Sequence, residues 1–160
     1  MSVQASTGMD SFNVVTLQLF DRLYDSFPRP LNINHTLASD IGFSAVPVDA
    51  TEEQAWEIGT MTNDVVEWLA EEGFLRYEKD PNQIPGNYWC VRLSLKGLAI
   101  LGSIPMGLTM KEEKVPLISN IKELLKEGSK KVASDAAKFV ILEIFKYALA
   151  PTAIVAAQLI

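Results

Sequence analysis

From Phe139 to Ile160 the chain carries only two charges, Glu143 and Lys146, in 22 residues. Upstream, Lys131, Ser134, Asp135 and Lys138 define one polar side of a helix. Beyond residue 139 that side is taken over by Leu142 and Leu149, so the helix becomes apolar nearly all round. A helix of this kind has to bury its surface somewhere. It is too short to be a span: a crossing needs about 20 apolar residues. The uncharged run from Tyr147 to Ile160 has 14, and Pro151 interrupts it. Three destinations stay open: the rest of the same chain, a second copy or another protein, or a membrane interface approached with the upstream lysines. Phe139, Ile141, Leu142, Ile144, Phe145 and Leu149 span most of the helical wheel and cannot all enter one narrow groove. Phe139, Leu142, Phe145 and Leu149 are the candidate partner contacts.

The charge distribution divides the chain in the same place. Residues 1–107 carry six Lys/Arg against fourteen Asp/Glu, a net of −8, and residues 108–160 carry eight Lys against six Asp/Glu, a net of +2. An acidic head and a mildly basic, apolar tail imply two tasks. Neither resembles a phosphate-binding surface as a whole. With 48% hydrophobic and 21% charged residues the chain reads as globular. The 160 residues suit one domain and an appendage: a head over 1–105, a linker over 106–116 and a helical tail over 117–160. Cys90 is the single cysteine and cannot form an internal disulfide, and the N-terminus lacks the basic and apolar regions of a secretion signal. The expected location is cytoplasmic, with attachment at the membrane periphery open through the tail.

Helical spacing of Phe12, Val15, Leu19 and Leu23, with a second stripe at Leu17, Phe20, Tyr24 and Phe27, predicts a well-buried first helix. Asp10 or Ser11 is its expected N-cap, and Pro28 and Pro30 end it. Leu31 to Asn34 reads as a short strand, Thr36 to Ile41 as a helical turn, and Ala45 to Val48 as extended chain. Thr51-Glu-Glu-Gln54 is a capping-box pattern. The apolar register behind it runs to about Glu72, either as one helix or as two broken near Gly59. Gly73 follows at the C′ position. Phe74–Lys79 and Tyr88–Ser94 read as paired strands around a turn-rich loop, with Trp89, Val91 and Leu93 expected on the buried face. Leu95–Leu101 reads as a short helix capped by Ser94, Leu117–Glu127 as an amphipathic helix, and 130–150 as a further helix.

The stretches Trp68-Leu-Ala-Glu-Glu-Gly-Phe-Leu-Arg-Tyr77 and Val91-Arg-Leu-Ser-Leu-Lys-Gly-Leu-Ala-Ile-Leu101 resemble the third helix and wing of the winged-helix superfamily. The resemblance covers residues 10–105. It implies an α+β fold, a winged-helix-like head with a two-stranded wing followed by the C-terminal helical tail. It also implies DNA binding as the commonest use, and here the sequence departs from it. Thr60–Glu72 holds Asp64, Glu67, Glu71 and Glu72 and no Lys or Arg, so the segment repels phosphates where counterion release should drive binding. Thr62 and Asn63 are its only base-reading candidates, and the wing adds only Arg76, Lys79 and Arg92.

Asp64, Glu67 and Glu71 share a helix face, which is either simply solvated or a dock for a basic partner; one helix face does not supply enough ligands for a metal. His35 has no surrounding nucleophile motif. Cys90 sits mid-strand, away from a helix N-terminus. Phosphate-loop glycines and Cys/His metal spacings are absent from the sequence, so no cofactor is expected. The reading that follows is a non-enzymatic interaction or regulatory protein. Its C-terminal helices contact the chain's own copies or another protein. The acidity argues against nucleic acid as a partner and leaves a membrane surface open. The alternatives are a DNA-binding transcriptional regulator and a membrane-active effector that inserts its C-terminal helix.

Overall fold

The computed structural model describes residues 2–103, 115–126 and 135–149. In chain order the elements are α1 (Ser2–Ser26), β1 (Leu31–Ile33), α2 (His35–Ser44), α3 (Glu52–Gly59), α4 (Thr62–Glu71), β2 (Leu75–Lys79), β3 (Tyr88–Leu93), α5 (Leu95–Leu101), α6 (Leu117–Lys126) and α7 (Asp135–Leu149). The fold is α+β. Its sheet is antiparallel with three strands in the order β1-β3-β2, so the expected two-stranded hairpin gains β1 as a third strand.

The axis of the molecule is α1. Val14, Val15, Leu17, Leu19, Phe20 and Leu23 are each at most 2% exposed. Most of both predicted stripes is therefore buried; Phe12 and Tyr24 are half-buried, and Phe27 at the end of the second stripe stays exposed. β3, α2, α4, α6 and α7 all pack against α1. Lys122 of α6 reaches Asp21 and Asp25, one turn apart on α1, at 2.6 Å each. The expected N-cap at Asp10 or Ser11 is corrected: α1 starts at Ser2, and buried Ser11 spends its hydroxyl on the Ala45 carbonyl at 3.4 Å.

The segment 51–72 is two helices. The capping box forms: Gln54 N–H donates to Thr51 Oγ1 at 3.1 Å, and Thr51 N–H to Gln54 Oε1 at 3.0 Å. The break follows Gly59, where α3 crosses α2 so closely that a Cβ on Gly42 would lie 2.2 Å from the Gly59 carbonyl oxygen. Turning the chain here lets α4 begin at Thr62, whose hydroxyl donates to Ala38 of α2 at 2.8 Å. The expected helical turn at 36–41 is longer, because Asn34 caps it by accepting from Leu37 N–H at 2.9 Å. Ala45 to Val48 forms no strand.

The burial expected for β3 is partly reversed. Tyr88, Val91 and Leu93 are buried, and Trp89 is exposed. Strict alternation fails because β3 carries one extra residue between its pairings with Arg76 and Glu78. Cys90 occupies the bulge at φ 54°, and its N–H donates to Asn32 Oδ1 at 2.9 Å. One inserted residue moves every side chain on one side of it to the other face. The exit from the sheet is as the sequence indicates: Gly97 N–H donates to Ser94 Oγ at 3.0 Å, and Ser94 N–H to the Phe74 carbonyl at 3.0 Å. Lys96 Nζ caps α4 through the Glu72 carbonyl at 2.9 Å.

Candidate interaction surfaces

Two elements carry the residues singled out in the sequence. The first is α7. Ala137, Val140, Ile141, Ile144 and Tyr147 are buried in the same apolar cluster as α1 and the sheet. Phe145 also turns inward, to Trp68 at 5.7 Å and Phe74 at 6.2 Å between ring centroids. Trp68 in turn meets Phe12 at 5.6 Å, and Phe74 meets Phe20 at 5.8 Å. These edge-on and tilted rings join α1, α4, the start of β2 and α7, an arrangement favoured by the aromatic quadrupole. Phe145 is thus a contact within the chain. The other three candidates are not brought in: Phe139 is 41%, Leu142 56% and Leu149 88% exposed. Exposed Lys138 and Lys146 share their side of the helix.

The second element is the acidic face of α4. It is solvent-exposed, and one of its carboxylates has a structural partner: Tyr88 Oη donates to Glu67 Oε2 at 2.5 Å. The Tyr77 ring stands edge-on to Tyr88 at 4.8 Å. Burial, then the Glu67 carboxylate, pushes the Tyr88 hydroxyl well above the ordinary tyrosine pKa, and Tyr77 moves the same way for the same two reasons, with Glu71 adding to it. A raised folded-state pKa gives stability that is complete below the ordinary value near 10.0 and is lost as pH rises above it. We therefore expect alkaline unfolding to begin near that pH. Tyr88→Phe should flatten the pH dependence and, by losing the hydrogen bond to Glu67, cost about 1 kcal/mol at neutral pH. Urea midpoints at neutral and alkaline pH test this; an unchanged alkaline slope would contradict it.

Neither base-reading candidate presents itself on α4. Thr62 is 1% exposed and committed to Ala38. Asn63 lies under the β2–β3 loop, where a Cβ on Gly86 would stand 2.9 Å from its Nδ2 and 2.8 Å from His35 Cε1. Arg76 and Arg92 pair across β2 and β3 on exposed positions. Among the described residues, no three His, Cys, Asp or Glu side chains converge on a metal position, and no helix is long and apolar enough to cross a membrane.

No known protein family, characterised protein or solved structure matches the chain.

A third surface escaped the sequence reading. Trp56 of α3 is 67% exposed and stands edge-on to half-exposed Phe43 of α2 at 6.4 Å. Val48, in the loop joining the two helices, is 91% exposed. The available signal was the capping box: once Thr51 starts the helix, Glu52 and Glu53 fall one turn before Trp56 and on its side.

Proposed function

We propose that the chain is a non-enzymatic interaction module, in which a winged-helix-like head serves as scaffold and the outer face of α7 docks a second copy of the chain. The helix, strand, helices and hairpin of residues 2–93, with sheet order β1-β3-β2, support the winged-helix reading. The acidic α4 and the buried Thr62 speak against its use on DNA.

The observation that carries the proposal is the split character of α7. One side enters the head's own core, and Phe139, Leu142 and Leu149 remain outside. A contiguous apolar surface of this kind on a soluble protein marks an interaction site. Burying each such side chain is worth about 1.5–3 kcal/mol.

Sedimentation equilibrium of the full chain at micromolar concentrations tests this. Self-association is expected, and Leu142→Glu with Leu149→Glu should weaken it at least about tenfold, roughly the loss of one good apolar contact. Both positions are exposed, so the fold survives the change. A chain that stays monomeric overturns the proposal. If that monomer floats with anionic liposomes, α7 is a membrane-binding face instead.

A further inference from the structure

The outer stripe of α7 has a complement elsewhere on the same molecule. Among the described residues the most exposed large hydrophobic side chains are Val48, Leu149, Leu95, Trp56, Met9 and Leu142. Four of these six fall on two surfaces: Leu142 and Leu149 on α7, and Val48 and Trp56 on the α2–α3 patch. The surfaces differ in their charged surroundings. Lys138 and Lys146 accompany the α7 stripe. Exposed Asp40, Asp49, Glu52, Glu53 and Glu57 accompany the patch. Between Leu31 and Leu75 the sequence has no Lys or Arg at all, so nothing within that segment neutralises these carboxylates.

Helical geometry puts charge and ring together on each side. Asp40 precedes Phe43 by three residues on α2, and Glu53 precedes Trp56 by three on α3. On α7, Lys138 precedes Leu142 by four and Lys146 follows it by four. Phe139 to Leu149 covers about 15 Å of helix axis, slightly more than the whole of α3. Exposed Trp and Phe side chains in an otherwise polar rim are the usual anchors of a protein interface. Among the described residues nothing covers this stripe, because α7 is held in the core by its opposite side with that face turned outward.

We infer that the α7 stripe of one copy docks on the α2–α3 patch of a second copy, Leu142 and Phe139 against Trp56 and Phe43, with Lys138 and Lys146 facing the carboxylates of Asp40, Glu53 and Glu57. This rests on the self-association reading of α7 and names the surface it meets. The contact pairs two different faces, so it either forms twice across a two-fold axis in a reciprocal dimer or repeats head to tail as a heterologous contact.

Mixing two variants tests it. The patch variant, Trp56→Ala with Glu53→Lys, keeps an intact stripe. The stripe variant, Leu142→Glu with Lys138→Glu, keeps an intact patch. Each alone should associate at least about tenfold more weakly than the unaltered chain. Mixed in equal amounts, they should form a one-to-one complex through the remaining good pair of faces. Raising the ionic strength from about 0.05 M to about 0.5 M should weaken that complex, because its charges sit at the rim. The variants alter exposed positions; should Trp56→Ala disturb folding, Glu53→Lys with Glu57→Lys replaces it. An unaltered chain that is monomeric defeats the α7 reading itself. Association lost in the stripe variant but kept in the patch variant, or two variants that do not complement, leaves the α7 reading standing and overturns the pairing inferred here.

Discussion

A chain ending at Ser103 is expected to lose its cooperative thermal unfolding transition and to bind a hydrophobic dye. The sequence alone suggests the opposite, a head over residues 10–105 that folds by itself, because each element of the hairpin and its helices is recognisable there. The burial of α1 argues for the loss. Leu117, Ile118, Ile121 and Leu124 of α6 and Val140, Ile141, Ile144 and Tyr147 of α7 are all at most 8% exposed in the cluster that encloses α1. Each contributes about 1.5–3 kcal/mol by leaving water, a gross term of roughly 12–24 kcal/mol before the entropy of ordering α6 and α7 is set against it, and larger than the net stability of a typical domain. The truncated head would also expose the side of α1 that these helices cover. Helical far-ultraviolet dichroism with no sharp melt is the expected state, a collapsed chain without fixed packing. A soluble, monomeric, sharply melting fragment would show that the packing of β3, α2 and α4 on α1 suffices.

Neighbouring residues in the sequence carry the local structure of this chain and leave its long-range packing open. Local chemistry was legible. The Thr51 capping box, the Ser94 cap, the chain reversal at Gly73, where φ is 85°, and the turn-rich loop before Tyr88 all follow from neighbours a few residues apart. Long-range packing was not. Nothing in the α7 sequence states that Phe145 meets Trp68 and Phe74 while Leu142 looks outward, since both are large apolar residues on one helix. The two stripes of α1 did announce a well-buried helix, but not which elements cover it. In β3 the expected alternation holds at Val91 and Leu93 and fails at Trp89, because the bulge at Cys90 depends on Asn32, 58 residues away, to hold its N–H. Of the candidate contacts, Phe139, Leu142 and Leu149 were placed outside, Phe145 was drawn into the head, and Glu67 was engaged by Tyr88. The α2–α3 patch was missed for the same reason: Phe43 and Trp56 belong to separate helices, and only the crossing at Gly42 and Gly59 brings them together.

That crossing and the strand exit yield the largest single-residue effects expected in the molecule. At Gly42 an added Cβ would lie 2.2 Å from the Gly59 carbonyl oxygen, and at Gly97 it would lie 2.2 Å from the Phe74 carbonyl oxygen. In both cases the obstacle is backbone, fixed in position by its own element, so neither side can yield without moving a helix. Gly42→Ala and Gly97→Ala should each cost about 3 kcal/mol, the upper range for forcing extra volume into a packed interior. At Gly59 the nearest atoms an added Cβ would meet belong to the Phe43 ring, at 2.3 Å. That ring is half exposed and can swing toward solvent, so the cost should be nearer 1 kcal/mol. At Gly102 the nearest atom stands 3.4 Å away and the backbone is ordinary, with φ −84°. There an alanine should be neutral or stabilise by about 0.5 kcal/mol, through the reduced freedom of the unfolded chain. Urea unfolding of the four variants orders these costs directly. The Gly59→Ala chain carries a second consequence: displacing Phe43 pulls apart the Phe43–Trp56 pair, so it should lower self-association more than its small loss of stability would suggest. If Gly42→Ala and Gly97→Ala unfold at the same urea concentration as Gly102→Ala, the close approaches of α2 to α3 and of α5 to the start of β2 are not features of the folded chain.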